Sequence, residues 1–329
     1  MGNHDNRTGL LQRVASRREY GALALLVVTV AVVSAVNPSF LAVGNIRDLL
    51  VKCAPTVLVA CGMTLVIVTG EIDISVGSMM GLLAAIMGIM TSSDRWGGPV
   101  WLGVVVTLGA GATIGLVNGL LVTVARVPSI IVTLGMLTAL RGLTELLMRG
   151  EWIENLPAGL RFFGTGSVWG IPFCVVTALV VVALCAVLTR DTPLGRRIYA
   201  VGSNSHSAAL AGISLRRVKI IVFTITGLLT GLATLVSVTQ LSVIESGIGV
   251  GFELLVVTCV VVGGTSISGG RGNIIGSVLG VLLLGTVGTA LIFLRLGEQA
   301  TYWERAIQGV FILLAVLADH VARRKERLA

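Results

Sequence analysis

Leu49-Leu-Val-Lys-Cys-Ala-Pro-Thr-Val-Leu-Val-Ala-Cys-Gly-Met-Thr-Leu-Val-Ile-Val-Thr69 runs into Gly70-Glu-Ile-Asp73 and at once into Ile74-Ser-Val-Gly-Ser-Met-Met-Gly-Leu-Leu-Ala-Ala-Ile-Met-Gly-Ile-Met90. About 20 apolar residues suffice for a helix to cross a bilayer core, and here two such runs meet with almost no polar loop between them. Glu71 and Asp73 stand at the junction. Charge at that depth is costly unless it is paired, solvated or functional. The junction reads as a tight cytoplasmic turn, with Asp73 capping the next helix by accepting backbone N–H bonds. The alternative reading is a broken helix lining a solute route.

The whole chain has this character. Its 329 residues are 55% hydrophobic and only 12% charged, with 42 glycines and a mean hydropathy of +0.96. A soluble domain carries about 25% charged residues; half of that leaves too little polar surface to cover a water-soluble particle. A soluble enzyme, a nucleic-acid-binding domain and a disordered chain are thereby excluded. What remains is an all-α polytopic membrane protein of about ten transmembrane helices, some broken at glycine-rich turns. The candidate spans are 21–36, 49–69, 74–90, 99–125, 130–148, 168–188, 218–242, 251–267, 274–294 and 303–319. The first follows a basic stretch, and Val33-Ser-Ala35 would also suit a signal-peptide cleavage point; a retained helix stopped by Asn37-Pro38 is the competing reading.

The net charge of +8 reads as topology, because the basic residues gather between apolar runs. Alternation from a cytoplasmic N-terminus puts Arg7, Arg13, Arg17 and Arg18 inside, together with Arg126, Arg271, the 189–219 insert and the basic C-terminus. Fewer fall outside, at Arg47, Arg95, Arg149, Arg161 and Arg295. The expected organisation is a cytoplasmic basic tail over 1–20, a membrane domain over 21–319 and a second cytoplasmic basic tail over 320–329. Both termini then lie inside a multi-pass protein of the inner membrane.

Little in the chain speaks for catalysis or for a cofactor. Cys53, Cys61, Cys174, Cys185 and Cys259 lie in apolar segments without a Cys-x-x-Cys pair, and His4, His206 and His320 are scattered. No phosphate-cradling G-x-x-x-x-G-K-[ST] occurs, so ATP hydrolysis is not expected in this polypeptide. The polar insert Thr189–Lys219 holds a short helix, capped by Asn204 or Ser205, running through Ala208 and Ala209 and stopping at Gly212. Two turns of helix are unstable alone in water and must dock. The partner is either the bundle, with the arginines drawn to lipid headgroups, or a cytoplasmic motor subunit. Gly263-Gly-Thr-Ser-Ile-Ser-Gly-Gly-Arg-Gly272 has five glycines in ten residues, and the overlapping stretch 260–270 loosely resembles 66–77. Asp73, Ser75, Asn118, Thr133, Gly263 and Gly264 are the candidate pathway residues; Gln240 is another isolated polar group. Arg141 and Glu145, four apart, suit an ion pair on one helix face, and Glu253 suits an interfacial position.

Six collinear segments carry a resemblance: Asn37-Pro-Ser-Phe40, Gly70–Ser78, Val127-Pro-Ser-Ile-Ile-Val-Thr-Leu-Gly135, Thr192-Pro-Leu-Gly-Arg-Arg-Ile-Tyr-Ala-Val-Gly202, Asn204–Ser214 and Val262–Gly272. Together they make the chain resemble the membrane permease subunit of bacterial ATP-binding-cassette (ABC) sugar importers of the ribose type. The resemblance implies an ABC importer permease fold, a second permease (the same chain or a related one), cytoplasmic ABC ATPase subunits and a periplasmic or extracellular sugar-binding protein. It also implies that Asn204, Ala208, Ala209 and Gly212 form the coupling loop on which the ATPases press. Glu71 departs from the pattern, where the family usually has a second glycine. Gly150-Glu-Trp-Ile-Glu-Asn-Leu-Pro157 and Thr301-Tyr-Trp-Glu-Arg-Ala-Ile-Gln-Gly309 are similar to the branch serving rhamnose and autoinducer-2. The expected cargo is thus a monosaccharide, rhamnose or ribose-like, or autoinducer-2, moved by alternating access. An ion-coupled secondary transporter using Glu145 or Asp73, and a passive channel, are the rival readings.

Overall fold

The computed structural model describes residues 19–294 and 299–328. Every apolar run of the sequence lies on a helix. The elements are α1 (Glu19–Val36), α2 (Val43–Val68), α3 (Val76–Thr91), α4 (Val100–Thr123), α5 (Ser129–Met148), α6 (Ala158–Thr165), α7 (Phe173–Asp191), α8 (Pro193–Ser203), α9 (Ser205–Leu210), α10 (Leu215–Val238), α11 (Phe252–Val262), α12 (Ile274–Phe293) and α13 (Gln299–Leu328). A 3-10 turn, Pro38–Leu41, joins α1 to α2, and a two-stranded hairpin of Ser167–Val168 with Ile171–Pro172 precedes α7.

Among the described residues six helices are long and apolar enough to cross a membrane: α2, α4, α5, α7, α10 and α12. The apolar stretches of α1, α3 and α11 are shorter. At 1.5 Å per residue, the 11 residues of α11 reach about 16 Å, roughly half a hydrocarbon core. The expected span 251–267 is therefore a half-helix followed by a glycine-rich turn. Helix α13 continues without a break to Leu328. The basic tail expected over 1–20 lies, except for Glu19 and Tyr20, outside the described residues.

Helix α2 is the axle of the bundle. Every residue from Cys53 to Val68 is buried, against α7, α10, α11 and α12. Thr64 Oγ1 donates to Ala60 O at 2.6 Å and lies 2.7 Å from Ser277 Oγ, so the hydroxyls tie α2 to α12. Helix α4 packs most extensively on α10. Gly111, Gly115 and Gly119 recur every fourth residue along α4 and are buried. A Cβ at Gly119 would stand 2.9 Å from Ile220 Cα, and one at Gly227 only 3.0 Å from Gly115 Cα. In lipid no hydrophobic force drives helices together, so backbone contact of this kind supplies the attraction. Outside this packed centre α4, α5 and α7 present Val105, Leu134, Leu146 and Leu184 outward, as lipid-facing surfaces do.

Candidate functional site

The polar insert folds as a helical hairpin. Thr192 caps α8, its side chain accepting from Gly195 N at 3.1 Å, with Pro193 at the first helical position where its missing N–H costs nothing. Asn204, not Ser205, caps α9 by accepting from Ser207 N at 2.9 Å. The helix ends in a Schellman arrangement: Ile213 N donates to Ala208 O and Gly212 N to Ala209 O, both at 3.0 Å. Gly212 takes φ +77 there, a conformation that side chains with a Cβ resist. Ala208 is buried, while Ala209 faces out. Beside them Leu210 is 78% exposed. Sequence reasoning passed over Leu210, although a large apolar residue in a six-residue polar helix was a signal.

The hairpin docks on both glycine-rich breaks at once. Gly202, at the end of α8, sits directly against the Val68 carbonyl and the Gly270 amide. Gly270 N donates to Val68 O at 2.8 Å, and Gly269 lies against Gly70. Tyr199 donates its hydroxyl to Gly272 O at 2.7 Å. Thus the two segments whose loose similarity the sequence showed are neighbours, and α8 covers their junction. Lys219, in the second turn of α10, forms an ion pair with Glu71. The residue that departs from the expected glycine therefore fastens the first break to the helix leaving the hairpin.

Beyond Gly70 the chain turns back into the bundle. Asp73, Ser75, Asn118 and Thr133 have no accessible surface. Asp73 Oδ1 accepts from Ser75 N at 2.9 Å and from Ser75 Oγ at 2.6 Å. Asn118 Nδ2 donates to Ser75 Oγ at 2.9 Å and reaches Asp73 Oδ2 at 3.4 Å. Asp73 thus fixes Ser75, the residue ahead of α3, more than the helix amides themselves. Burial raises its carboxyl above the ordinary value, against the pull of the Ser75 and Asn118 hydrogen bonds. Thr133 meets the same turn from α5, at 3.4 Å from Ile72 O. Gly263 and Gly264 lie apart from this cluster, at the end of α11, with Gly263 packed on Gly276 and Ser277 of α12.

A cavity of about 730 Å³ opens elsewhere in the bundle, between α2, the start of α3, α10, the 239–251 loop, α11 and α13. Its wall includes Gly249, Val250 and Gly251, where the loop enters α11. That loop is anchored twice. Ile153 and Ile244 exchange backbone hydrogen bonds at 3.0 and 2.9 Å. Arg141 Nη1 donates to Ser246 O at 2.7 Å and to Ile248 O at 3.0 Å, lying 3.2 Å from where a Cβ on Gly81 would be. The expected Arg141–Glu145 pair is replaced by this longer reach; among the described residues the ion pairs are Arg95–Glu151 and Lys219–Glu71. Glu253, partly exposed at the start of α11, lies against Gly77 of α3.

Residues 45–316 match the family described as branched-chain amino acid transport system / permease component. The chain is 36% identical to the ribose import permease protein of Haemophilus influenzae, over 94% of this chain and 95% of that one. It is 38% identical to the Bacillus subtilis ribose import permease protein, over 92% of each. The autoinducer 2 import system permease protein of Photorhabdus laumondii is 33% identical, over 94% of this chain and 90% of that one. No solved structure matches the chain.

Proposed function

Because the chain belongs to the branched-chain amino acid transport system / permease component family, we propose that it is the membrane-spanning permease subunit of an ATP-driven sugar importer. Its cargo is a ribose-like monosaccharide. The named relatives are ribose and autoinducer-2 permeases, which favours ribose over the rhamnose reading; autoinducer-2 is the second candidate. The chain carries transport and not catalysis: hydrolysis belongs to cytoplasmic ABC ATPase subunits, and delivery to an extracytoplasmic sugar-binding protein. The protein sits in the inner membrane with both termini cytoplasmic, paired with a second permease. The family gives the ion-coupled reading no support, and Glu145, one of its two candidate acids, is exposed on the outside of α5.

One observation carries the mechanism: α8 closes over the meeting point of Val68, Gly70 and Gly270. A force applied at α9 reaches both helix breaks through a single contact. An ATPase can drive alternating access only if it binds the two permease states differently. Leu210 and Ala209 form the contact that differs, and Asn204, Ala208 and Gly212 hold it in shape. Asp73, Ser75, Asn118 and Thr133 hold the turn at the first break, and Gly263 and Gly264 the start of the second; the solute passes as these turns shift.

The test is gentle solubilisation of native membranes with a tagged permease, combined with uptake assays. An ABC ATPase is expected to co-purify in stoichiometric amount, and D-ribose uptake is expected to survive an ionophore and to stop on ATP depletion. Uptake that survives ATP depletion and stops with the ionophore would sink the proposal.

A further inference from the structure

We infer that Glu71 and Lys219 are positioning residues of transport: their ion pair makes α10 carry the first break with it when the hairpin moves. This rests on the reading of the chain as an ATP-driven permease. Both ends of the tie are set by backbone. Glu71 N donates to Val66 O at 3.2 Å and Gly70 N to Ile67 O at 2.9 Å, the Schellman pattern that ends α2, with Gly70 at φ +82. Glu71 is thereby fixed at the end of the bundle's axle. The next residue, Ile72, donates its N–H to Ser129 Oγ at 3.3 Å, and Asp73 follows. At the other end, Ser214 caps α10 by accepting from Arg217 N, and Ile213 N is still bonded to Ala208 O of α9. A displacement of α9 therefore enters α10 directly, and Lys219 passes it to a turn 148 residues away in the chain.

The signs of the two charges argue for a link and against a local role. The carbonyl end of a helix favours a cation and the amide end an acid. Glu71 instead follows the carbonyl end of α2, and Lys219 follows Arg216 and Arg217 into α10, whose first turn has no acid. Each charge is on the wrong end of its own helix; exchanged, each would suit it. Nor is stability a sufficient reason, because ion pairs at the surface add little and those in the interior often no more than apolar packing would. Glu71 keeps 13% and Lys219 21% of its side-chain surface exposed. The pair can thus part and re-form without stranding a dry charge, as a joint between moving elements must. This tie is separate from the contact of α8 with the two breaks: it holds the first break alone, and it holds it to α10.

The experiment uses the complete importer in liposomes and reads D-ribose imported per ATP hydrolysed, at equal membrane levels. Glu71→Gln and Lys219→Gln are each expected to go on hydrolysing ATP while the ratio falls at least fivefold. The double neutral variant should be no worse than the worse single, since both remove the same tie. The reversed pair, Glu71→Lys with Lys219→Glu, should bring the ratio back to within twofold of the unsubstituted importer. Glu151→Gln is the control: it breaks the more exposed pair with Arg95, beyond the far end of α3, and should leave the ratio unchanged. ATP-dependent D-ribose uptake by the unsubstituted liposomes reports separately on the permease reading. In liposomes that show it, an unchanged ratio in both single variants would overturn the proposal. So would single effects that add in the double variant, or a reversed pair that hydrolyses ATP and couples no better than the singles. Import and hydrolysis falling together at a constant ratio would mean a role in folding or assembly, and would overturn it as well.

Discussion

Gly202→Ala asks whether the hairpin must sit where it does. The added Cβ would overlap the Val68 carbonyl oxygen and stand 2.6 Å from Gly270 N and 2.9 Å from Val68 C, where ordinary contact begins at 3.4 Å. These neighbours are backbone atoms in the junction of two breaks, with no flexible side chain to swing away. Helix α8 must therefore retreat by about 1 Å or more, as close-packed interiors absorb little. The retreat breaks the 2.7 Å Tyr199–Gly272 hydrogen bond, a net loss of about 0.5–1.5 kcal/mol. Overpacking adds about 1–3 kcal/mol. The two together come to about 2–4 kcal/mol, enough to shift a docked-to-undocked ratio by about 30-fold or more. In liposomes holding the complete importer, the ATPase rate should persist while ribose imported per ATP falls at least tenfold. Ser203→Ala, which removes only a 3.5 Å contact to Gly270 O, should behave as unsubstituted. A normal import-to-hydrolysis ratio in Gly202→Ala, at matched membrane levels, would refute the docking argument.

Three further outcomes follow from the geometry. Gly212→Pro, and Ala208 and Ala209 both changed to Asp, should abolish uptake while immunoblots show normal insertion. Arg141→Ala removes two charge-assisted hydrogen bonds, each worth about 1.5–3 kcal/mol, and should expose the 239–251 loop to protease, with Arg141→Lys intermediate. Burial raises the Asp73 carboxyl in the folded state, so its contribution to stability is greatest at low pH and is lost as pH rises through the folded value. Asp73→Asn keeps an acceptor for Ser75 and should flatten that loss in thermal unfolding followed against pH; an unchanged pH profile would contradict it.

What the sequence disclosed depended on range. Run length and hydropathy are local, and each apolar run lies on a helix, from Glu19–Val36 to Gln299–Leu328. The Asn204 cap is local too, since its side chain accepts from an amide three residues on; Thr192 and Ser214 cap in the same way and were not singled out. Length alone misjudged 251–267, because its glycine-rich second half extends the apolar run without extending the helix. The site itself was legible only in part. Asp73, Ser75, Asn118 and Thr133 were singled out as candidate pathway residues, yet nothing in their spacing showed that the first three would bond one another or that Thr133 would meet the same turn at Ile72 O. Arg141 had a nearby acid at Glu145, and one-helix geometry favoured that pair. The actual partners are carbonyls about 105 residues away, reached beside a glycine on another helix. The contact of Gly202 with Val68 and Gly270 has no local signature at all.

The central claim is that α9 is the surface through which a cytoplasmic ATPase moves the two breaks. The most direct measurement places a photo-activated crosslinking amino acid at Leu210, 78% exposed at the tip of the hairpin, in membranes that actively import sugar. The account predicts one dominant protein adduct, an ABC ATPase subunit, whose yield changes when ATP is replaced by a non-hydrolysable analogue. Adducts to lipid alone, in membranes whose sugar uptake is intact, would contradict it.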